Sequence, residues 1–346
     1  MISPTTGPMN DFRPTSPDMN QLTLAPYYHP TTICFVDDNE PFLASLELEL
    51  PGDWACRTFC DPEEALAYLN EPIALEPLMD RCFSLQRDSH QAVIHLDLSL
   101  IEQEISHVDR FRRNSVLVVD YAMPSITGLQ FCAALKDTHI RRAMLTGVAD
   151  EKLAVQAFNA GLIHRFIPKQ KDDPILSVHR FVEELVQEYF NQYTERLKSA
   201  LAIDPPPFLT DPIVASWVHE LMQEHRLVEY YLVGDPPGFL MLKSNGEIWR
   251  LAILSPADVA EQARLARGFG APQDLVNALT AGDKAVFLAG LSPEDYFGDE
   301  DFPWAELTHD ASRLANEWTV AIWRDAPADI DFDPAVASYD AYRSTL

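Results

Sequence analysis

Three carboxylates, a hydroxyl and an ammonium sit where short apolar runs of this chain stop. Asp37 and Asp38 follow residues 32–36, Asp120 follows 116–119, Thr146 follows 143–145, and Lys169 follows 166–168. Each run is too short for a buried helix. The clearest, Val116-Leu-Val-Val119, is bounded by Asn114-Ser115 and by Pro124, and it reads as a strand buried on both faces. The carboxyl ends of strands in an open parallel sheet face a crevice where ligands bind, so all five groups can converge there. Asp37, Asp38 and Asp120 form a hard, all-oxygen set that suits an octahedral Mg²⁺ retaining waters. Such an ion offsets carboxylate repulsion and stabilises a phosphoryl group passing to Asp120, a covalent use of a carboxylate nucleophile. The Thr146 hydroxyl would bond one phosphoryl oxygen and Lys169 would pair with another. A single Asp after a single apolar run is more often a helix N-cap, and the agreement of four strand ends is what argues otherwise here. Pro124 fixes φ in the loop after Asp120, and Gly128 is expected to supply a positive φ.

Helix 1 is expected over 39–50, with Phe42, Leu43, Leu46 and Leu50 on one stripe. A second strand is expected over 54–59, and Asp61-Pro62 caps a helix to about residue 70. Further helices are expected over 129–136 and 150–159.

This constellation resembles the receiver domain of two-component response regulators, over about residues 31–190. The carriers are the acidic pair after strand 1, Asp-x-x-Met-Pro-x-x-x-Gly at 120–128, the Thr after strand 4 and the Lys after strand 5. The resemblance implies an α/β, flavodoxin-like, doubly wound parallel sheet of five strands. It implies Asp120 as phospho-acceptor, with Asp37, Asp38, Asp120 and the Ala122 carbonyl holding Mg²⁺. Thr146 becomes the switch hydroxyl, Phe166 the aromatic switch and Lys169 the phosphoryl-pairing ammonium. A histidine kinase or phosphotransfer protein is the implied donor. One departure is local: family members usually carry Pro after the Lys, whereas here Pro168 precedes Lys169 and Gln170 follows. The segments 146–161 and 337–342 are also similar to bacterial response regulators with an uncharacterised output domain, a likeness that names no activity.

The 346 residues suffice for two domains, each with a core. With 53 acidic and 26 basic residues the net charge is −27, which opposes contact with nucleic acid and anionic membranes. Cys34, Cys56, Cys60, Cys82 and Cys132 show no zinc spacing and read as thiols of a reducing cytoplasm. No membrane span or signal peptide is expected.

Residues 1–30 are Pro-rich and expected to form a flexible tail. The acidic pair and Asp120 lie further apart than in receivers generally, so 70–113 is expected to be an insertion, helical from Asp97 onward. Asp173-Pro174 should open a helix through about 201, longer than a receiver requires, which either packs on the receiver or also dimerises. Residues 203–208 read as a stiff linker, and 208–346 as a separate α+β domain containing a hairpin about Asn245-Gly246 and an irregular acidic end from Asp325. His309-Asp310 could serve a metal phosphohydrolase, against Asp310 as a plain N-cap. Neither a helix-turn-helix with a basic second helix nor a Gly-Gly-Asp-Glu-Phe run is present. The expectation is therefore a cytoplasmic, phosphorylation-dependent signalling protein acting through protein interaction. A receiver-gated enzyme or ligand sensor is the alternative, and a DNA-binding regulator is disfavoured by charge.

Overall fold

The computed structural model describes residues 23–73, 78–88, 91–96, 98–146, 157–169, 174–200, 206–287, 302–315, 317–324 and 330–346. Strands are numbered in chain order: β1 Tyr27–Tyr28, β2 Thr32–Val36, β3 Ala55–Phe59, β4 Phe83–Asp88, β5 Gln91–Leu96, β6 Asn114–Asp120, β7 Arg141–Thr146, β8 Arg165–Pro168, β9 Leu227–Gly234, β10 Pro237–Lys243, β11 Ile248–Leu254, β12 Lys284–Val286, β13 Thr308–Leu314 and β14 Trp318–Trp323.

Five of these form a wholly parallel sheet in the order β3-β2-β6-β7-β8. Both faces are buried, which is why the strands read as unbroken apolar runs rather than alternating ones. Cys34, Val36, Leu117 and Val119 face the helices Pro62–Leu69 and Gly128–Ala134. Ile33, Phe35, Val116 and Val118 face the helices Glu40–Glu49 and Pro174–Ala200. This is the flavodoxin-like receiver fold. The helix expected over 150–159 lies largely outside the described residues.

The second sheet is antiparallel, with seven strands in the order β1-β9-β10-β11-β14-β13-β12. One face buries Leu232, Met241, Leu251 and Val320 against the helix Pro212–His225 through Val214, Val218 and Leu221. The other face is covered in two parts. Toward β12, Ala252, Leu254 and Ala321 lie beside a layer in which Ala263 and Ala266 of the helix Pro256–Gly268 meet Val276 and Leu279 of Gln273–Ala281. Toward β1, Tyr231, Val233, Leu240, Leu242 and Ile248 are covered by Leu78, Cys82, Ile101 and Ile105 of the insertion and by Tyr189 and Phe190 of the long helix.

Three expectations change, and the separate second unit holds with additions. Residues 24–28 are not a tail: Leu24 is buried and bonds Leu209, while Tyr27 and Tyr28 pair with Tyr231 and Tyr230 as an edge strand, because two aromatic rings bury enough area to order a segment that its Pro-rich neighbours could not. The insertion is not simply helical: a β4–β5 hairpin precedes the helix Leu98–Gln103 and two 3₁₀ turns, Phe83 and Leu85 pairing with Leu96 and Ile94 at strand period. The C-terminal end forms the helices Pro334–Ala337 and Tyr339–Arg343, whose Tyr339 and Tyr342 pack on Phe111 and Ala55. The antiparallel sheet is a distinct unit whose core the insertion and the long helix complete.

His29 marks the junction of these parts. Its ring is buried, stacked on Tyr27 and Tyr231 and met edge-on by Phe190 and Phe111. Its Nδ1–H donates to the Pro30 carbonyl at 2.8 Å. Burial drives its pKa down to about 3, with Arg110 and Arg113 pushing the same way against the Pro30 bond. Between the ordinary value near 6.5 and about 3 the unfolded chain therefore holds a proton that the folded chain refuses. Its contribution to stability is complete above 6.5 and is lost as pH falls through that window. Urea unfolding at pH 5 should show about 2 kcal/mol less stability from this residue than at pH 7, and His29→Phe should remove that part of the slope. Burial also depresses His164, to about 4, so part of the pH dependence will persist in the variant.

Candidate functional site

The carboxyl ends of β2, β6, β7 and β8 lie side by side: Val36 is level with Val119, Asp120 with Leu145, and Thr146 with Pro168. The residues after these strands are thereby neighbours although well over a hundred positions separate the first from the last. Asp37, Asp38 and Asp120 each offer a carboxylate oxygen within 4.8 Å of the others, and this is the one such acidic or metal-ligating trio among the described residues. Asp37 and Asp120 are buried, and Asp38 faces solvent.

Lys169 Nζ donates to Asp37 Oδ2 at 2.5 Å and pairs with Asp120 Oδ1 at 2.9 Å. The remaining oxygens also have donors. The Asn39 N–H reaches Asp37 Oδ1 at 3.0 Å, and the Ala122 N–H reaches Asp120 Oδ2 at 3.0 Å. Asn39 meanwhile caps the helix Glu40–Glu49 through its side chain. Burial raises the Asp37 pKa, and the nearby Asp120 adds to the rise, so that the bonds from Lys169 and Asn39 compensate only in part. Burial acts to lower the Lys169 pKa, but its bonds and charge pairing with Asp37 and Asp120 outweigh it and hold the ammonium protonated. Two carboxylates and one ammonium thus share a site short of positive charge, with three hard oxygens to offer. That donor set fits a divalent hard cation such as Mg²⁺.

Thr146 is the last residue of β7, and Phe166 lies in β8, half-buried against the face that carries Phe131 and Met144. Ala122 is exposed and bridges to Thr127. Pro124 is exposed in the loop between them. Gly128 departs from expectation, since its φ is not positive. Space dictates glycine instead: a Cβ there would stand 2.4 Å from the Asp120 carbonyl oxygen and 3.2 Å from Tyr121 Cα. The helix that starts at Gly128 is packed directly against the peptide that carries Asp120. Gly128→Ala must displace one or the other, at about 1–3 kcal/mol, and should lower the urea midpoint. An unchanged midpoint would show that the loop gives way without strain.

Asn39, expected as a helix start, and Phe42, expected on that helix's apolar stripe, also stand at this site; their short spacing from Asp38 is the signal in the sequence. His309 and Asp310 belong elsewhere. They lie in β13, between β14 and the edge strand β12, where Asp310 pairs with Lys284 of β12 at 2.6 Å, so Asp310 is neither an N-cap nor part of an acidic trio among the described residues.

No protein-family model matches the chain, and neither does any curated protein. Among solved structures it is similar to the Legionella pneumophila response regulator LqsR, at 31% sequence identity, covering 94% of this chain and 97% of that one with a TM-score of 0.77. Two others align with about half of it: a CheY-like response regulator receiver domain protein from Methanospirillum hungatei JF-1, at 18% identity, 47% and 98% coverage and TM-score 0.32, and an adenylate cyclase from Rhodopirellula baltica, at 22% identity, 49% and 94% coverage and TM-score 0.32.

Proposed function

The chain belongs to the response-regulator family, and on that premise we propose that it accepts a phosphoryl group on Asp120 from a histidine kinase or phosphotransfer protein and passes the change to its antiparallel-sheet domain. The observation that carries the proposal is the meeting of Asp37, Asp38, Asp120 and the Lys169 ammonium at the ends of parallel strands. Asp120 is the nucleophile. One oxygen attacks phosphorus while the Ala122 N–H holds the other. Lys169, paired with Asp120 beforehand, meets the charge arriving on the phosphoryl oxygens. Mg²⁺ held by Asp37, Asp38, Asp120 and the Ala122 carbonyl would neutralise charge on the incoming group. Thr146 and Phe166 are proposed to move toward the phosphoryl group as the switch.

The route outward is the helix Pro174–Ala200. Val178, Val182 and Leu185 lie in the receiver core, Tyr189 and Phe190 lie in the core of the antiparallel sheet, and Val186 touches both. A shift of this helix against the receiver sheet therefore bears on the second sheet directly. The proposed domains are the receiver at 31–190, the 175–201 helix as connector and the output domain at 208–346, with the homodimer contact proposed for that helix. A net charge of −27 opposes DNA binding, so the proposed output is protein interaction. No described helix is long and apolar enough to cross a membrane, and the proposed location is the cytoplasm. The test is incubation of the full chain with acetyl phosphate and Mg²⁺. One phosphoryl group per chain by intact mass, lost with a chelator, is expected; an unlabelled chain, or labelling indifferent to the metal, would overturn the proposal.

A further inference from the structure

We propose that Phe42 is a positioning residue for the Lys169 ammonium during phosphoryl transfer, an inference that rests on Asp120 being the phosphoryl acceptor. Among the described residues the Nζ atom meets Asp37 Oδ2 at 2.5 Å, Asp120 Oδ1 at 2.9 Å, and the Phe42 ring, whose centroid lies 4.7 Å from it. The ring is well anchored. Its backbone N–H donates to Asn39 Oδ1 at 3.1 Å in the first turn of the helix, and its side chain packs against the Ile33–Phe35 face of the sheet. The same Asn39 holds Asp37 through its own N–H, so ring and carboxylate are set by one helix start.

Transfer is the moment when such an anchor matters. As Asp120 attacks, an oxygen–phosphorus bond forms, the donor's bridging oxygen–phosphorus bond breaks, and its electron pair leaves with acetate when acetyl phosphate is the donor. Asp120 then no longer carries a free carboxylate, and Lys169 must exchange that partner for the arriving phosphoryl oxygens. A lysine ammonium is a compact charge on a flexible four-carbon stem, and here the next residue is Gln170 rather than a rigid proline. The face of Phe42 attracts the cation without competing for phosphoryl oxygens. It keeps Nζ above the site while its partners change.

The experiment measures phosphorylation rate by acetyl phosphate and Mg²⁺ on the full chain. The variants are Phe42→Leu and Phe42→Tyr, each with Lys169 intact and with Lys169→Ala, and urea midpoints are recorded in parallel. Phe42→Leu should slow uptake about fivefold, as expected for losing a half-exposed cation–π contact. Phe42→Tyr should restore it, and Phe42→Leu should add nothing further once Lys169 is Ala. Equal slowing in both backgrounds, or a Phe42→Leu rate equal to that of the unaltered chain, overturns the inference. If the unaltered chain takes up no phosphate, it is the acceptor assignment that fails.

Discussion

Asp120→Asn will reduce phosphoryl uptake from acetyl phosphate to below detection while leaving the chain folded. The substitution keeps volume and planar shape but replaces an anionic oxygen nucleophile with an amide, which cannot form the acyl phosphate. The structure shows why folding should survive. Asp120 and Asp37 are two buried carboxylates facing one ammonium, and proximity to Asp120 is among the causes that raise the Asp37 pKa. An uncharged residue 120 relieves that repulsion and leaves Lys169 its 2.5 Å bond to Asp37. The Ala122 N–H can still donate to the amide oxygen. Urea midpoints of the two proteins should therefore agree within about 1 kcal/mol, or favour the variant slightly. Intact mass after incubation, with hydroxylamine to release any acyl phosphate, gives the readout. A label that persists in Asp120→Asn would move the acceptor elsewhere.

How far the sequence announced this site depended on the kind of strand involved. β2 and β6 are buried on both faces and parallel, so Val116 to Val119 appear as one apolar run and Asp120 stands out where it ends. The same logic could not find β1. Two residues have no period, and their partners Tyr230 and Tyr231 lie about two hundred positions away. Nor could it find β13, which reads Thr-His-Asp-Ala-Ser-Arg-Leu and is largely open to solvent although paired on both sides, so that no apolar run marks it. Gly128 shows a subtler limit. Glycine at that spacing from Asp120 was visible, yet whether it serves a positive φ or a close approach depends on where the helix docks. The covering of the second sheet by Leu78, Ile101, Ile105 and Phe190 was hidden for a similar reason: an apolar residue on a helix does not say which surface it meets.

That shared core makes Arg110 the residue whose loss should cost most stability. Its guanidinium is fully buried and reaches Glu229 of β9 twice, at 2.9 and 3.2 Å. It also donates to the His107 carbonyl at 3.0 Å and the Ala337 carbonyl at 2.9 Å, and lies 3.9 Å over the Phe111 ring. Tyr231 donates to the same Glu229 at 2.6 Å. Burial acts to lower the Arg110 pKa, and the Glu229 charge and bonds more than reverse it. The insertion, the second sheet and the C-terminal helices therefore meet at one ion pair. Arg110→Met leaves the Glu229 carboxylate buried with only Tyr231 to answer it, at about 3–5 kcal/mol, a large part of the 5–15 kcal/mol typical of a folded protein. Arg110→Lys should recover little, since a point charge cannot supply the fork. Combining Arg110→Met with Glu229→Leu and Tyr231→Phe removes the stranded charge and its hydroxyl partner, leaving the His107 and Ala337 carbonyls without the Arg110 donor, and should recover part of the loss. The same geometry predicts one coincident urea transition for both sheets by fluorescence and circular dichroism, and an isolated 208–346 fragment that fails to fold, because Tyr231, Val233, Leu240, Leu242 and Ile248 would lose their cover. Two separate transitions, or an Arg110→Met cost below about 1 kcal/mol, would mean that the receiver and the second sheet stand independently and that the long helix alone connects them.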